Sequence, residues 1–170
     1  MGEVFDEPAL ARLYERLEKP MFNVAYRWLW DRADAADVVQ ETFLRLWRMR
    51  EQVRVDTVDA LAFRVAVNLA ANRRRSRKLW GFVPFSGREQ SGRDVEKDVA
   101  ARERDARVRR AIEALPILMR RVVVMTEMSG LSHAEVAATL QFPVGTVVFR
   151  RSLAMARLRG TLADVDLAHA

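Results

Sequence analysis

The sequence predicts an all-α fold, two small helical domains joined by a flexible linker, and three observations lead there. Apolar residues recur at spacings of three and four along nearly the whole chain. The period-two alternation of a strand is missing, and β-branched stretches are short (Val122 to Val124, Val147 and Val148). Composition changes once, after Leu79, where WGFVPFSGREQSGRD carries three of the seven glycines, one proline and two serines, the make-up of a linker.

In chain order, a first helix is expected from Pro8 to Lys19, with Leu10, Leu13, Tyr14 and Leu17 on one face. Pro20 should interrupt it, and a second segment continues through Phe22, Ala25, Trp28 and Leu29. The stretch DRADAAD supplies an aspartate cap for a helix from Ala35 to about Met49. There Val39, Phe43, Leu46 and Trp47 share one face, and Asp37, Gln40, Glu41, Leu44 and Arg48 share another. The latter is either a contiguous polar patch or the solvated side of a core helix.

The next helix starts near Thr57-Val58-Asp59 and runs to about Arg77. Val58, Leu61, Val65 and Leu69 are expected inward, with Arg64, Asn68, Asn72 and Arg75 on the other side. It ends in the densest basic run of the chain, five bases in the six residues Arg73 to Lys78, with Trp80 close behind to stack or pack. That exceeds what a helix dipole requires and suits nucleic acid. Residues 95–110 alternate both charges densely, as a solvated helix or an extension of the linker would.

A second unit spans Ala111 to about Leu162. Ile117 to Met128 is apolar enough for a core helix, and Gly130 is placed to stop it. Ser132-His133-Ala134-Glu135 is a capping box opening a short helix to Leu140, with Val136, Ala137 and Leu140 inward. Gln141-Phe142-Pro143 breaks the chain, and a new helix begins around Val144-Gly145-Thr146. Two short helices about a tight turn, the second bearing arginines, form the helix-turn-helix pattern. A helical hairpin with solvated arginines shares this spacing.

Composition narrows the function. Of 170 residues half are hydrophobic, and 29 Lys and Arg against 23 Asp and Glu give +6, a mild lean towards a polyanionic partner. With no cysteine, disulfides, thiol nucleophiles and Cys-ligated zinc are excluded. The only histidines are His133, at the start of a capped helix, and His169 near the end. No glycine-rich phosphate loop or nucleophile elbow occurs, so neither catalysis, nor a metal, nor a cofactor is expected. No apolar run is long enough to span a membrane and the first twenty residues lack an apolar signal core, which points to the cytoplasm.

Two motifs together carry a resemblance. Asp34-Ala-Ala-Asp37-Val-Val-Gln40-Glu41-Thr-Phe43-Leu-Arg-Leu-Trp47 resembles region two of the extracytoplasmic-function (ECF) sigma factors of the sigma-70 family, and Arg64-Val-Ala-Val-Asn68 is similar to its promoter-melting helix. Gly130-Leu-Ser132-His-Ala-Glu135-Val-Ala137, followed by Pro143-Val-Gly145-Thr146-Val147, is similar to their region four. The resemblance implies region two over 1–80, a linker over 81–110 and a region-four helix-turn-helix over 111–165.

It also implies binding roles. Asp37, Gln40, Glu41 and Arg48 would dock on the clamp helices of core RNA polymerase. Arg54, Asp56 and Thr57 lie in the loop that would capture a flipped base of the minus-ten element, and Arg64, Asn68, Asn72, Arg73 and Arg74 would follow the non-template strand. Thr146, Val148, Phe149, Arg150, Arg151, Ser152, Leu153 and Arg157 would face the minus-thirty-five element, in a unit that also touches the polymerase flap. An anti-sigma factor would be a further partner.

Three departures stand out. Val148 and Phe149 occupy positions where the family usually has a basic residue and then serine, and Leu153 replaces a further basic one. Leu61, Ala62 and Phe63 stand where bulkier residues are common near the end of the capture loop. The apolar recognition helix could meet thymine methyl groups, or face a protein. Two other readings therefore stand beside the first: a stand-alone helix-turn-helix regulator, which has no use for Asp37, Gln40 and Glu41, and a sigma-like decoy that binds polymerase or an anti-sigma factor without reading promoters.

Overall fold

A computed structural model describes residues 5–79 and 95–167, with side chains over 5–77 and 102–163. The expected linker segment 80–94, Trp80 within it, and His169 lie outside the described residues. The helices are α1 (Glu7–Leu29), α2 (Arg32–Arg48), α3 (Val58–Leu79), α4 (Val95–Ala114), α5 (Ile117–Met128), α6 (His133–Leu140) and α7 (Val144–Leu167), with two 3-10 turns, Arg50–Gln52 and Val55–Thr57, between α2 and α3. No strand occurs among the described residues.

The first helix runs through Pro20 without a break, contrary to the expected interruption. A proline inside a helix costs about 3 kcal/mol through one lost hydrogen bond and a ring clash. Here Leu13, Leu17, Met21, Val24, Ala25 and Trp28 keep one phase across it and are all buried. At about 1.5–3 kcal/mol for each large apolar side chain buried, the stripe outweighs the proline. Asp6 caps the N-terminus, accepting from the Ala9 N–H at 2.9 Å, and Trp30 closes the other end in the left-handed conformation. For α2 the capping aspartate is Asp31, accepting from the Asp34 N–H at 2.9 Å, so this helix starts three residues earlier than expected.

The buried face of α3 is also shifted. Ala62, Phe63, Ala66, Val67 and Ala70 are buried together with Val58, while Leu61, Val65 and Leu69 are only half-buried. The three alanines recur every fourth residue, and small side chains let α3 approach α1 and α2, both of which it packs against. Its polar side is as expected, with Asn68, Asn72 and Arg75 exposed.

The second unit holds α4 to α7. Residues 95–110, read as a solvated helix or linker extension, belong to α4. Arg120 of α5 is buried and caps the end of α4: its Nε donates to the Ile112 carbonyl at 3.0 Å and its Nη2 to the carbonyls of Glu113 and, at 3.4 Å, Leu115. Burial, and then the nearby Arg74, pull its pKa down from the ordinary arginine value. Gly130 adopts φ 72 after α5, as a helix stop needs.

The capping box of α6 forms as expected. The Ser132 hydroxyl accepts from the Glu135 N–H at 3.2 Å, and the Glu135 carboxylate accepts from the Ser132 N–H at 2.7 Å. Hydrogen bonds from the Ser132 side chain, then its backbone N–H, hold the Glu135 pKa below the ordinary glutamate value. A depressed carboxylate stabilises the fold above its unfolded pKa, about 4.3, and loses that contribution as pH falls through the folded value. Ser132→Ala should therefore cost about 1 kcal/mol at pH 7, with the deficit shrinking in urea unfolding repeated below pH 4.3. A deficit that is the same at both pH values would refute the reciprocal cap.

The two units lie against each other. Helix α1 meets α5, and α3 meets α6. The Arg120 guanidinium sits 5.9 Å from the Trp28 ring centre and that of Arg109 sits 5.8 Å from Trp30. Trp28, Phe63, Val122, Val136 and Ala154 all belong to one continuous buried cluster.

Candidate functional site

The expected polymerase-docking residues project from α2. Asp37, Gln40 and Arg48 are exposed and Glu41 is half-buried. Arg45 donates to Glu41 at 2.8 Å and, as the largest influence, holds its carboxyl below the ordinary value, so the patch keeps this negative charge at neutral pH. Beside the patch, α1 and α2 frame an open groove of about 1050 Å³. Leu10, Tyr14, Phe22, Gln40, Leu44 and Trp47 are among its walls.

Sequence reasoning missed the α1 half of this groove. Tyr14, placed by spacing on one face with Leu10, Leu13 and Leu17, is exposed, with its ring tilted on Phe43 at 4.8 Å. Its hydroxyl donates to Glu18 at 2.8 Å, an interaction that raises the tyrosine pKa. One signal was present: Leu44, an apolar residue on the polar face of α2, is exposed into the groove. Arg32 lies 5.6 Å from the Phe22 ring and Arg50 lies 4.8 Å from that of Trp47, so cations edge the apolar walls.

The α2–α3 loop carries Arg54, Asp56 and Thr57, all exposed. Arg54 donates twice to Asp56, at 2.8 and 3.3 Å. That pairing lowers the Asp56 pKa and raises that of Arg54. Along α3, Asn68 and Asn72 are open to solvent, but Arg64, Arg73, Arg74 and Arg77 are engaged. Arg64 donates to the carbonyls of Thr139 at 3.1 Å and Ala138 at 2.9 Å on α6.

The basic run at the end of α3 meets acids. Arg73 lies 3.5 Å from Asp37 and 3.8 Å from Asp34 and donates to the Asp34 carbonyl at 3.1 Å. Arg77 pairs with Asp34 and, at 3.7 Å, Asp31, and Arg74 lies 3.5 Å from Glu113. The physical reason is packing: the basic end of α3 meets the acidic start of α2. A positive strip read from sequence is thus partly neutralised in the fold.

On α7 the first two turns expose an apolar surface, Val144 at 46%, Val148 at 45% and Phe149 at 67%. Ser152 and Arg157 are exposed beyond them, and Thr146 and Leu153 are half-buried. Arg151 donates to Glu127 at 2.7 Å, and Arg150 lies 4.5 Å from the Phe142 ring centre. Burial alone would raise the Glu127 pKa, but hydrogen bonds from Arg151 and Thr126 outweigh it and keep the value low. So two arginines assigned to DNA from sequence are held within the unit, and the outward surface is led by Val148 and Phe149.

No cluster of His, Cys, Asp and Glu suited to a metal occurs among the described residues. No helix there is long and apolar enough to cross a membrane.

Two family descriptions match the chain: Sigma-70 region 2 over residues 13–79, and Sigma-70, region 4 over residues 105–158. The ECF RNA polymerase sigma factor SigE of Mycolicibacterium smegmatis is 29% identical over 166 residues, covering 95% of this chain, which spans 65% of that relative's length. The ECF RNA polymerase sigma-E factor of Salmonella typhimurium is 30% identical over 163 residues, covering 84% of this chain and 80% of the relative. Among solved structures, that of CnrH in complex with the cytosolic domain of CnrY matches with a TM-score of 0.71 and 29% identity, covering 95% of this chain and 91% of the other.

Proposed function

The chain belongs to the extracytoplasmic-function (ECF) RNA polymerase sigma factors, and on that premise we propose that it directs core polymerase to promoters through three surfaces. The patch of Asp37, Gln40, Glu41 and Arg48, together with the α1–α2 groove, docks on the polymerase. The Arg54–Thr57 loop and the Arg64, Asn68, Asn72, Arg73 and Arg74 side of α3 hold the separated non-template strand at the minus-ten element. The start of α7 enters the major groove at the minus-thirty-five element. The protein acts by binding: contacts offset the few kilocalories per mole needed to unstack and unpair a base, and the polymerase supplies the chemistry. It works where core polymerase works, in the cytoplasm. An anti-sigma partner is proposed by analogy with CnrH, which was solved with the cytosolic domain of CnrY.

The observation that supports this reading is a charged, solvent-facing patch on α2, the helix that also walls an apolar groove with α1. A stand-alone helix-turn-helix regulator has no use for it, and the match of residues 13–79 to a sigma unit does not favour that alternative.

Run-off transcription with purified core polymerase on a pool of genomic promoter fragments tests the proposal. Specific transcripts sharing two upstream elements are expected. Stable polymerase binding without transcripts would overturn promoter reading in favour of a decoy, and the absence of both would overturn polymerase docking. A second experiment probes α7. Val148→Lys combined with Phe149→Ser should tighten binding to duplex DNA about tenfold and steepen its salt dependence. If affinity and salt slope stay where they were, those positions do not face the groove.

A further inference from the structure

We propose that Val148 and Phe149 read thymine by its methyl group, so that apolar contact rather than hydrogen bonding specifies the upstream element of this protein's promoters. This rests on the placement of α7 in the major groove proposed above. Phe149, at 67%, is the most open large apolar side chain among the described residues. Gly145, Val148, Ser152 and Ala156 share its side of α7, linked by steps of three and four, and all are exposed. The outward side of these turns therefore offers a base edge the Ser152 hydroxyl and no charge. Arg151 is turned to Glu127 at 2.7 Å. Arg150 lies over the Phe142 ring with its Nη1 buried.

Such a face cannot read a purine in the usual way, which takes paired hydrogen bonds from an arginine, lysine, asparagine or glutamine. Set against a guanine, Phe149 would strip water from the ring acceptors and return no hydrogen bond, a net loss. Thymine alone presents an apolar group in the major groove, its C5-methyl, and phenylalanine is among the side chains that suit it. Gly145 helps the approach: no atom lies within 4 Å of where its Cβ would stand, so a base edge can come close to the helix. Val148 and Phe149 are consecutive and point in different directions from the helix. The element they fit has thymines at neighbouring base pairs.

A protein partner fits this face less well. A stable interface takes about 800 Å² from each side, whereas the exposed apolar side chains here are Val144, Val148 and Phe149, with Gly145 and Ser152 among them. One turn further on, Arg157 and Arg159 are exposed, as phosphate contacts flanking a base-reading surface would be.

Uracil separates the methyl from everything else, because it keeps the hydrogen-bonding edge of thymine and lacks only that group. Duplex DNA with a randomised central block is selected for binding to the full-length chain at low salt, and again with core polymerase present. Thymine should be enriched at neighbouring positions of the block. Replacing each of those thymines by uracil should weaken binding about fourfold, the worth of one methyl taken out of water. Cytosine at the same positions should bind better once methylated at C5. Phe149→Ala and Val148→Ala should each make thymine and uracil bind alike at one position, and Phe149→Leu should keep most of the preference. Both side chains are exposed, so the fold should hold.

Equal binding of thymine and uracil duplexes by the parent chain, with other bases still discriminated, would overturn the methyl readout and leave α7 as the reader. Indifference to every base in the block would overturn both. A methyl preference that survives Phe149→Ala and Val148→Ala would take the readout away from these residues. Weaker binding of Phe149→Ala to core polymerase in the absence of DNA would give this face to a protein and overturn the proposal.

Discussion

Replacing Asp37 and Glu41 together by lysine should weaken binding to core polymerase at least about a hundredfold, the scale expected when charges meant to complement a partner instead repel it. Both carboxylates stand on α2, which also supplies Gln40 and Leu44 to the groove, and the Glu41 charge is secured by Arg45. The fold should tolerate the change. Neither residue is buried, and exposed substitutions are usually worth within about 0.5 kcal/mol each. Two internal interactions are at stake, the Arg73 contact 3.5 Å from Asp37 and the Arg45–Glu41 pair at 2.8 Å. Titration against labelled core polymerase, with urea unfolding of the same samples, separates the two effects. Polymerase binding that survives the double change would remove the docking assignment.

Trp28→Ala should cost about 3–5 kcal/mol, a large part of the roughly 5–15 kcal/mol that holds a domain together. Trp28 is 1% exposed at the end of α1, and its ring faces Arg120, the residue that ties α4 to α5. Removing the indole leaves a cavity and also deprives a buried guanidinium of its aromatic neighbour, so both units should be destabilised. Urea unfolding monitored by circular dichroism would show an earlier midpoint. Trp47→Ala, at a half-buried ring on the groove wall, should cost less and serves as the comparison. If the two substitutions cost the same, Trp28 does not join the units.

Features decided within a few residues were legible in the sequence. The bounds of α5 and the start of α6 follow from Gly130 and from the Ser132–Glu135 cap, which are local chemistry. Pro20 misled because its cost is local whereas the compensation is not: the stripe from Leu13 to Trp28 has value only against α2, α3 and α5. On α3 the leucines and valines drew the inward face, while alanines carried the contact, and alanine has little amphipathic signal to read.

The site divides in the same way. Residue types along α2, α3 and α7 could be named from spacing, but their partners could not. Arg64 and Thr139 are 75 positions apart. Arg73 and Arg77 meet Asp34 across two helices. The groove is built from α1 and α2 jointly, so no single periodicity outlines it.

The alanine seam of α3 also bears on how this protein can change over generations. Ala62, Ala66 and Ala70 are fully enclosed. A single base change in an alanine codon yields valine, threonine, serine, proline, glycine, aspartate or glutamate. Valine and threonine add branched bulk at a close helix crossing, the acids add buried charge, and proline breaks the helix. Even glycine costs about 1 kcal/mol in helix propensity. Purifying selection should therefore weigh on these three positions as hard as on the neighbouring asparagines, although the alanines are closed to any partner by burial.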